Sequence, residues 1–254
     1  MLSFTTAELE ALVASALWPA IRLLALFATA PILSHRTIPR PAKVALAFAI
    51  AFVLAPVLPP PPPVSLGSGA AFGILAQQVA IGATLGFAVR LALAAVEMAG
   101  EVIGLQMGLS FAGFFDLSNP QGANAAGSLM GLAATLLFLA IDGHLLVIGA
   151  LAESFNAFPV GEFPRQLLVT SEFAKLGGQV FSTALSLALP MITVMLFANL
   201  ALGVIARAAP QLNIFSFGFP FSVLLGLVAL VLTTPYLADP LQRALSSSFA
   251  IFMR

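Results

Sequence analysis

The sequence predicts an all-α, polytopic membrane protein, built of about six long apolar helices arranged in kinked hairpins. Three observations carry that expectation. Of 254 residues, 60% are hydrophobic and 8% are charged, where a soluble domain would carry about a quarter charged. Apolar runs near or above the roughly 20 residues that a span requires recur along the whole chain. Prolines and glycines fall inside those runs as well as between them, so the helices are expected to bend.

Taken in order, the first helix is expected from about Leu9 to Leu33, closed by Pro31. A basic connector with Arg36, Arg40 and Lys43 follows. The second helix runs from about Ala42 to Leu58 and stops at five consecutive prolines, Pro59 to Pro63. These predict a stiff polyproline spacer. The third, about Ala70 to Leu109, is too long for one straight span and holds Gly82 and Gly86 at GxxxG spacing. The fourth is expected over Ala125 to Phe155, and the fifth over Phe173 to Ala208 with a kink at Pro190. After a loop from Ala209 to Pro220, the sixth covers about Phe221 to Leu237, and a mildly amphipathic tail ends at Arg254. No fixed-period repeat or composition shift marks a second domain, so residues 1–254 read as one domain.

Ten basic and ten acidic residues cancel, and no basic stripe points to nucleic acid. The chain has no cysteine, hence no disulfide framework and no thiolate chemistry. Glu8 and Glu10 precede the first basic residue, Arg22, so no cleavable signal is expected and the first helix is expected to insert itself. The positive-inside rule puts the Arg36/Arg40/Lys43 connector in the cytoplasm. Arg165, Lys175, Arg243 and Arg254 then fall outside, so the bias is weak.

The most informative stretch runs from Glu97 to Gly127. Glu97 and Glu101 stand four residues apart and project from one helical face. Gly100, Gly104 and Gly108 repeat that spacing, a small-xxx-small ladder that admits a second backbone at close range. Phe111, Gly113, Phe114, Phe115, Asp116, Asn119 and Pro120 then break the helix. Irregular backbone between hydrophobic helices belongs where protein buries it or where it lines a cavity. An ordinary interhelical loop is the alternative.

Arg22, Arg90, Glu97, Glu101, Asp142, His144 and Arg207 are ionisable residues within apolar helices. Each costs about 2.5–3.5 kcal/mol on insertion scales, so each calls for a partner or a wet cavity. Two readings follow: a proton relay through Glu97, Glu101, Asp142 and His144, or pairs that fix assembly. Small residues around the carboxylates favour assembly. No second histidine stands at metal spacing from His144, neither Ser110 nor Ser128 is marked as a nucleophile, and no phosphate loop is present. No cofactor and no enzyme chemistry are expected. Pro210, Gln211, Asn213 and Phe215 form a second irregular apolar stretch, best suited to docking on a partner.

These residues resemble the FliR family, the flagellar branch of the type III secretion export gates. The resemblance rests first on Arg22 with Ala30-Pro31 and Pro39, and on Glu97-x-x-Gly100-Glu101 through Ala112 with Asp116. It continues in Gly143-His144 with Phe155 and Pro159, and in Asn199 through Gly203, Arg207 through Phe215 and Gly218-Phe219-Pro220. The five-proline run and Asp142, where a polar amide is expected, depart from the family pattern. The resemblance implies a core subunit that joins FliP, FliQ and an FlhB-type protein in the basal body, in the bacterial inner (cytoplasmic) membrane. Unfolded flagellar proteins would pass through the resulting pore. It further implies a plug over about residues 110–124, with Phe111, Phe114 and Phe115 as its apolar stopper. A proton-coupled solute transporter is the rival reading, and it would want two related halves with broken helices at the midplane.

Overall fold

The computed structural model describes residues 6–65, 67–109, 124–162, 170–209, 214–250 and 252, and every regular element among them is helical. Helix α1 spans Thr6–Thr29, α2 Arg40–Leu54 and α3 Gly69–Gln106. Helix α4 spans Ala125–Ala140, α5 Gly143–Ala157 and α6 Thr170–Ala208. Helix α7 spans Ile214–Thr233, and a 3-10 turn over Thr234–Leu237 leads into α8, Ala238–Phe249. Four stretches are long and apolar enough to cross a membrane: Leu12–Thr29, Gly69–Gln106, Lys175–Ala208 and Phe217–Phe249. The broken pair α4–α5 makes a fifth if counted as one span.

The expected count of six changes at α2. Its 15 residues fall short of the roughly 20 that a bilayer requires. Pro56 has no backbone donor and its ring crowds the carbonyl four residues back, so the helix cannot run on through it even though Ala55 keeps helical angles. The helix therefore gives way to turns after Leu54.

Two other boundaries move. The expected single helix over Ala125 to Phe155 is broken at Asp142, a non-glycine residue at φ 55° and ψ 32°. The Asp142 carbonyl accepts from the Leu145 and Leu146 amides, so the break also starts the next helix. In contrast, the expected loop up to Pro220 becomes helix from Ile214 onward. Pro220 removes one backbone donor, a loss that a strongly apolar helix tolerates. Helix α6 likewise continues through Pro190 to Ala208 without ending there.

The chain forms two compact units, each assembled from separated segments. One comprises Met1–Leu91, Asp142–Leu176 and Leu245–Arg254, the other Ala92–Ile141 and Gly177–Ala244. In the first, α1 and α3 meet at Gly82 and Gly86. A Cβ on Gly82 would strike the Arg22 carbonyl and lie 2.9 Å from Ala25 Cβ, and one on Gly86 would lie 2.8 Å from the Ala30 nitrogen. Around this seam lie buried Leu23, Leu26, Phe27, Ile81, Leu85 and Val89. In the second unit, α3 packs on α4 at buried Ala126 and Met130 and through the glycines described below, while Met107, just past α3, lies against Gly226 on α7.

The left-handed backbone at residue 142 generates a prediction. Asp142→Gly or Asp142→Asn fits that conformation and should keep or raise the melting temperature of the detergent-solubilised protein. Asp142→Val should lower its stability by about 1–2 kcal/mol, because a β-branched residue resists positive φ.

Candidate functional site

The polar centre of the first unit is Arg22, fully buried on α1. Its Nε donates to Gln78 Oε1 at 2.8 Å, Nη1 to Ser154 Oγ at 2.8 Å, and Nη2 to the Phe158 carbonyl at 3.1 Å. The guanidinium carbon lies 3.6 Å from the centroid of the Phe155 ring, a cation–π contact. These acceptors are all neutral. Ser154 and Phe158 lie in the last turn and C-cap of α5, where the helix dipole supplies partial negative charge and favours a cation.

The network continues outward through two glutamines on α3. Gln78 Nε2 donates to Gln77 Oε1 at 3.3 Å. Gln77 Nε2 donates to the Pro159 carbonyl at 2.9 Å and to the Glu162 carbonyl, while its Oε1 accepts from the Gly161 amide at 2.9 Å. Gly161 adopts φ 91°, so a side chain there would be strained. The turn from Phe158 to Glu162 is thus tied to α3 by one amide side chain. Val160, at its tip, packs with Ala14, Trp18, Ala71, Ile74 and Val64.

The second unit carries the glycine ladder. A Cβ on Gly100 would lie 2.7 Å from the Ala126 carbonyl oxygen and 2.7 Å from Met130 Cβ, and one on Gly104 would strike the Asn124 amide. Asn124 Nδ2 donates to the Glu101 carbonyl at 3.0 Å, and its Oδ1 caps α4 by accepting from the Ala126 amide at 3.1 Å. The relation is reciprocal. Glu101 Cγ lies 2.7 Å from where a Gly127 Cβ would be, and the Glu97 side chain passes within 3.6 Å of the same position on Gly131. Each glutamate stem rests on a glycine of the facing helix, and both residues remain exposed. Gly108 stands at φ 78° beside Phe219.

The remaining charged candidates Arg90, Asp142, His144 and Arg207 are also exposed on this chain. Phe111, Gly113, Phe114, Phe115, Asp116, Asn119 and Pro120 lie outside the described residues, as do Pro210, Gln211 and Asn213, while Phe215 falls within α7. The sequence reading missed Gln77, Gln78 and Ser154. The adjacent amides in an otherwise apolar helix were the available signal, since a buried polar side chain must find partners. No cluster of residues able to hold a metal ion occurs among the described residues.

Comparison with known proteins places this geometry in context. The family model described as "Bacterial export proteins, family 1" matches residues 13–248. The chain is 42% identical over 232 residues to the flagellar biosynthetic protein FliR of Escherichia coli (strain K12), covering 91% of this chain and 88% of that protein. It is 40% identical over 249 residues to FliR of Pectobacterium carotovorum subsp. carotovorum, covering 98% and 95%. Identity to FliR of Aquifex aeolicus (strain VF5) is 31% over 232 residues, covering 91% and 89%.

Two outcomes follow from the packing. Arg22→Lys should fail nearly as badly as Arg22→Met. A single ammonium cannot reproduce the fork, and each buried acceptor left without a donor costs about 1–3 kcal/mol; retention of folded protein after detergent extraction and heating measures this. Gly100→Leu should block folding of the α3–α4 hairpin more completely than Gly104→Leu. Gly100 faces the Ala126 backbone carbonyl as well as Met130, whereas the atoms nearest Gly104 all belong to the Asn124 side chain, which can move without shifting a backbone. Protease resistance of the two variants gives the ranking.

Proposed function

This chain belongs to the FliR family of bacterial export proteins, and on that premise we propose that it helps to line and seal the pore through which unfolded flagellar proteins leave the cell. It is a component of the flagellar export apparatus, a multi-pass helical membrane protein and not an enzyme. Its partners in the proposed gate are FliP, FliQ and an FlhB-type subunit, in the inner membrane.

One observation supports a gate over a self-sufficient carrier. Helices α3 and α6 hold 38 and 39 residues. At about 1.5 Å per residue each is close to 57 Å long, nearly twice the roughly 30 Å of hydrocarbon in a bilayer. Helix α6 exposes Phe181, Leu185, Leu189, Leu196, Phe197, Leu200 and Val204 along most of that length. That exposed stretch is about 36 Å long at 1.5 Å per residue, somewhat more than the hydrocarbon thickness, and the helices that carry it extend well beyond a bilayer, which supports cover by neighbouring protein in addition to lipid. Within such a complex Glu97, Glu101, Arg90, Asp142, His144 and Arg207 serve as contacts to sister subunits. The Pro210, Gln211, Asn213 and Phe215 segment docks on one of them. Arg22 works inside the chain.

The plug is assigned to residues 110–124 on the strength of the family resemblance and the residue types. Three phenylalanines gathered in a conduit exclude water and ions by dewetting, and short-range packing of this kind can yield to an extended polypeptide and reform. Deleting Phe114 to Asn119 should leave the complex recoverable with FliP and FliQ yet make the cells permeable to small ions. Membrane conductance in cells holding the complete gate, beside a recovery control, measures both. An assembled deletion variant as tight as the unaltered gate would mean that another element forms the seal.

A further inference from the structure

The first unit includes a segment from the far end of the described chain. Leu245, Phe249 and Phe252 on and after α8 are all buried, with Phe252 1% exposed. The Phe252 ring meets Phe158 edge-on, with centroids 6.2 Å apart and planes at 70°, a favoured aromatic geometry. Phe158 is the residue whose carbonyl takes a hydrogen bond from Arg22. Its backbone, at φ −132° and ψ 79°, lies outside the helix that it caps, so the α5 ladder does not by itself fix where that carbonyl points. The contact on its ring supplies a second restraint.

From this we propose that Leu245–Phe252 is a clasp. The Arg22 network closes only when Phe252 docks on Phe158, so the first unit stays open to water until residue 252 is in place. Every other contributor to the network, Arg22, Gln77, Gln78, Ser154 and Phe158, precedes the clasp in the chain by at least 80 residues or so. A chain lacking the clasp leaves that carbonyl held only through the Phe158 amide and the Gln77 tie to the following turn, and a loosely partnered charge in apolar surroundings draws in water. This inference concerns how the unit closes and does not depend on the pore reading.

The absence of native cysteine makes the test direct. Ala150→Cys places a thiol on the buried face of α5, and Ala134→Cys places one at a fully buried site in the second unit. Each is combined, in the full-length protein in its native membrane, with Phe252→Ala or with Phe252→Leu, and maleimide labelling rates are compared. Phe252→Ala should raise labelling of the Ala150→Cys chain by roughly tenfold or more, as local opening exposes a protected site. It should leave the Ala134→Cys chain unchanged, and Phe252→Leu should preserve protection at both. Unchanged labelling of Ala150→Cys with Phe252→Ala would overturn the proposal. So would equal opening of both sites, or fast labelling of Ala150→Cys with Phe252 intact.

Discussion

A positive charge buried without a carboxylate is the constraint on which the first unit depends. Taking an ion out of water is costly, and neutral acceptors offset that cost only when their geometry is tight. Arg22 meets the requirement with an amide oxygen from α3, a hydroxyl and a carbonyl at the end of α5, and the face of Phe155. The end of a helix takes the place of a counter-ion. Because these groups come from α1, α3 and α5, none of the three helices can shift without stranding the charge. The close approach of α1 to α3 at Gly82 and Gly86 is then as much a consequence as a cause.

The second unit solves a different problem by different means. Glu97 and Glu101 are long polar side chains on an apolar helix, and their stems need cover. Gly127 and Gly131 on α4 provide flat surface for those stems, while Gly100 and Gly104 on α3 receive Met130 and Asn124. The carboxylates stay exposed at the edge of this interlock. Such an arrangement presents charge from a closely packed platform. It also explains why glycine and glutamate alternate in a helix where either alone would be unfavourable.

Much of this was legible in the sequence because the signals were local. Four-residue glycine spacing, carboxylates at the same spacing and motifs running from Glu97 to Ala112 and from Asn199 to Pro220 pointed to helix packing and to an export family. The helix break at Asp142 carried a signal, the turn-forming pair Asp142-Gly143, but the apolar runs on both sides outweighed it and hid the left-handed residue. The shortness of α2 followed from prolines already visible, but hydropathy counts apolar residues whether or not their backbone is helical. The Arg22 network was hidden for a third reason. Its acceptors lie 56 to 136 positions from Arg22, and no periodicity reports a contact of that range.

The central claim is that exported polypeptide passes beside this chain in a conduit sealed by the segment following the glycine ladder. Site-specific photo-crosslinking to a stalled flagellar substrate tests it most directly. The crosslinker is placed in turn at Phe114 and, for comparison, at exposed Phe197 on α6, on the face assigned above to neighbouring subunits, in cells where a tightly folded domain fused to the substrate halts export midway. The account predicts crosslinks from position 114 only while substrate is engaged, and none from 197. Substrate that stalls in a functioning gate without touching position 114, or that crosslinks from 197 instead, would contradict it.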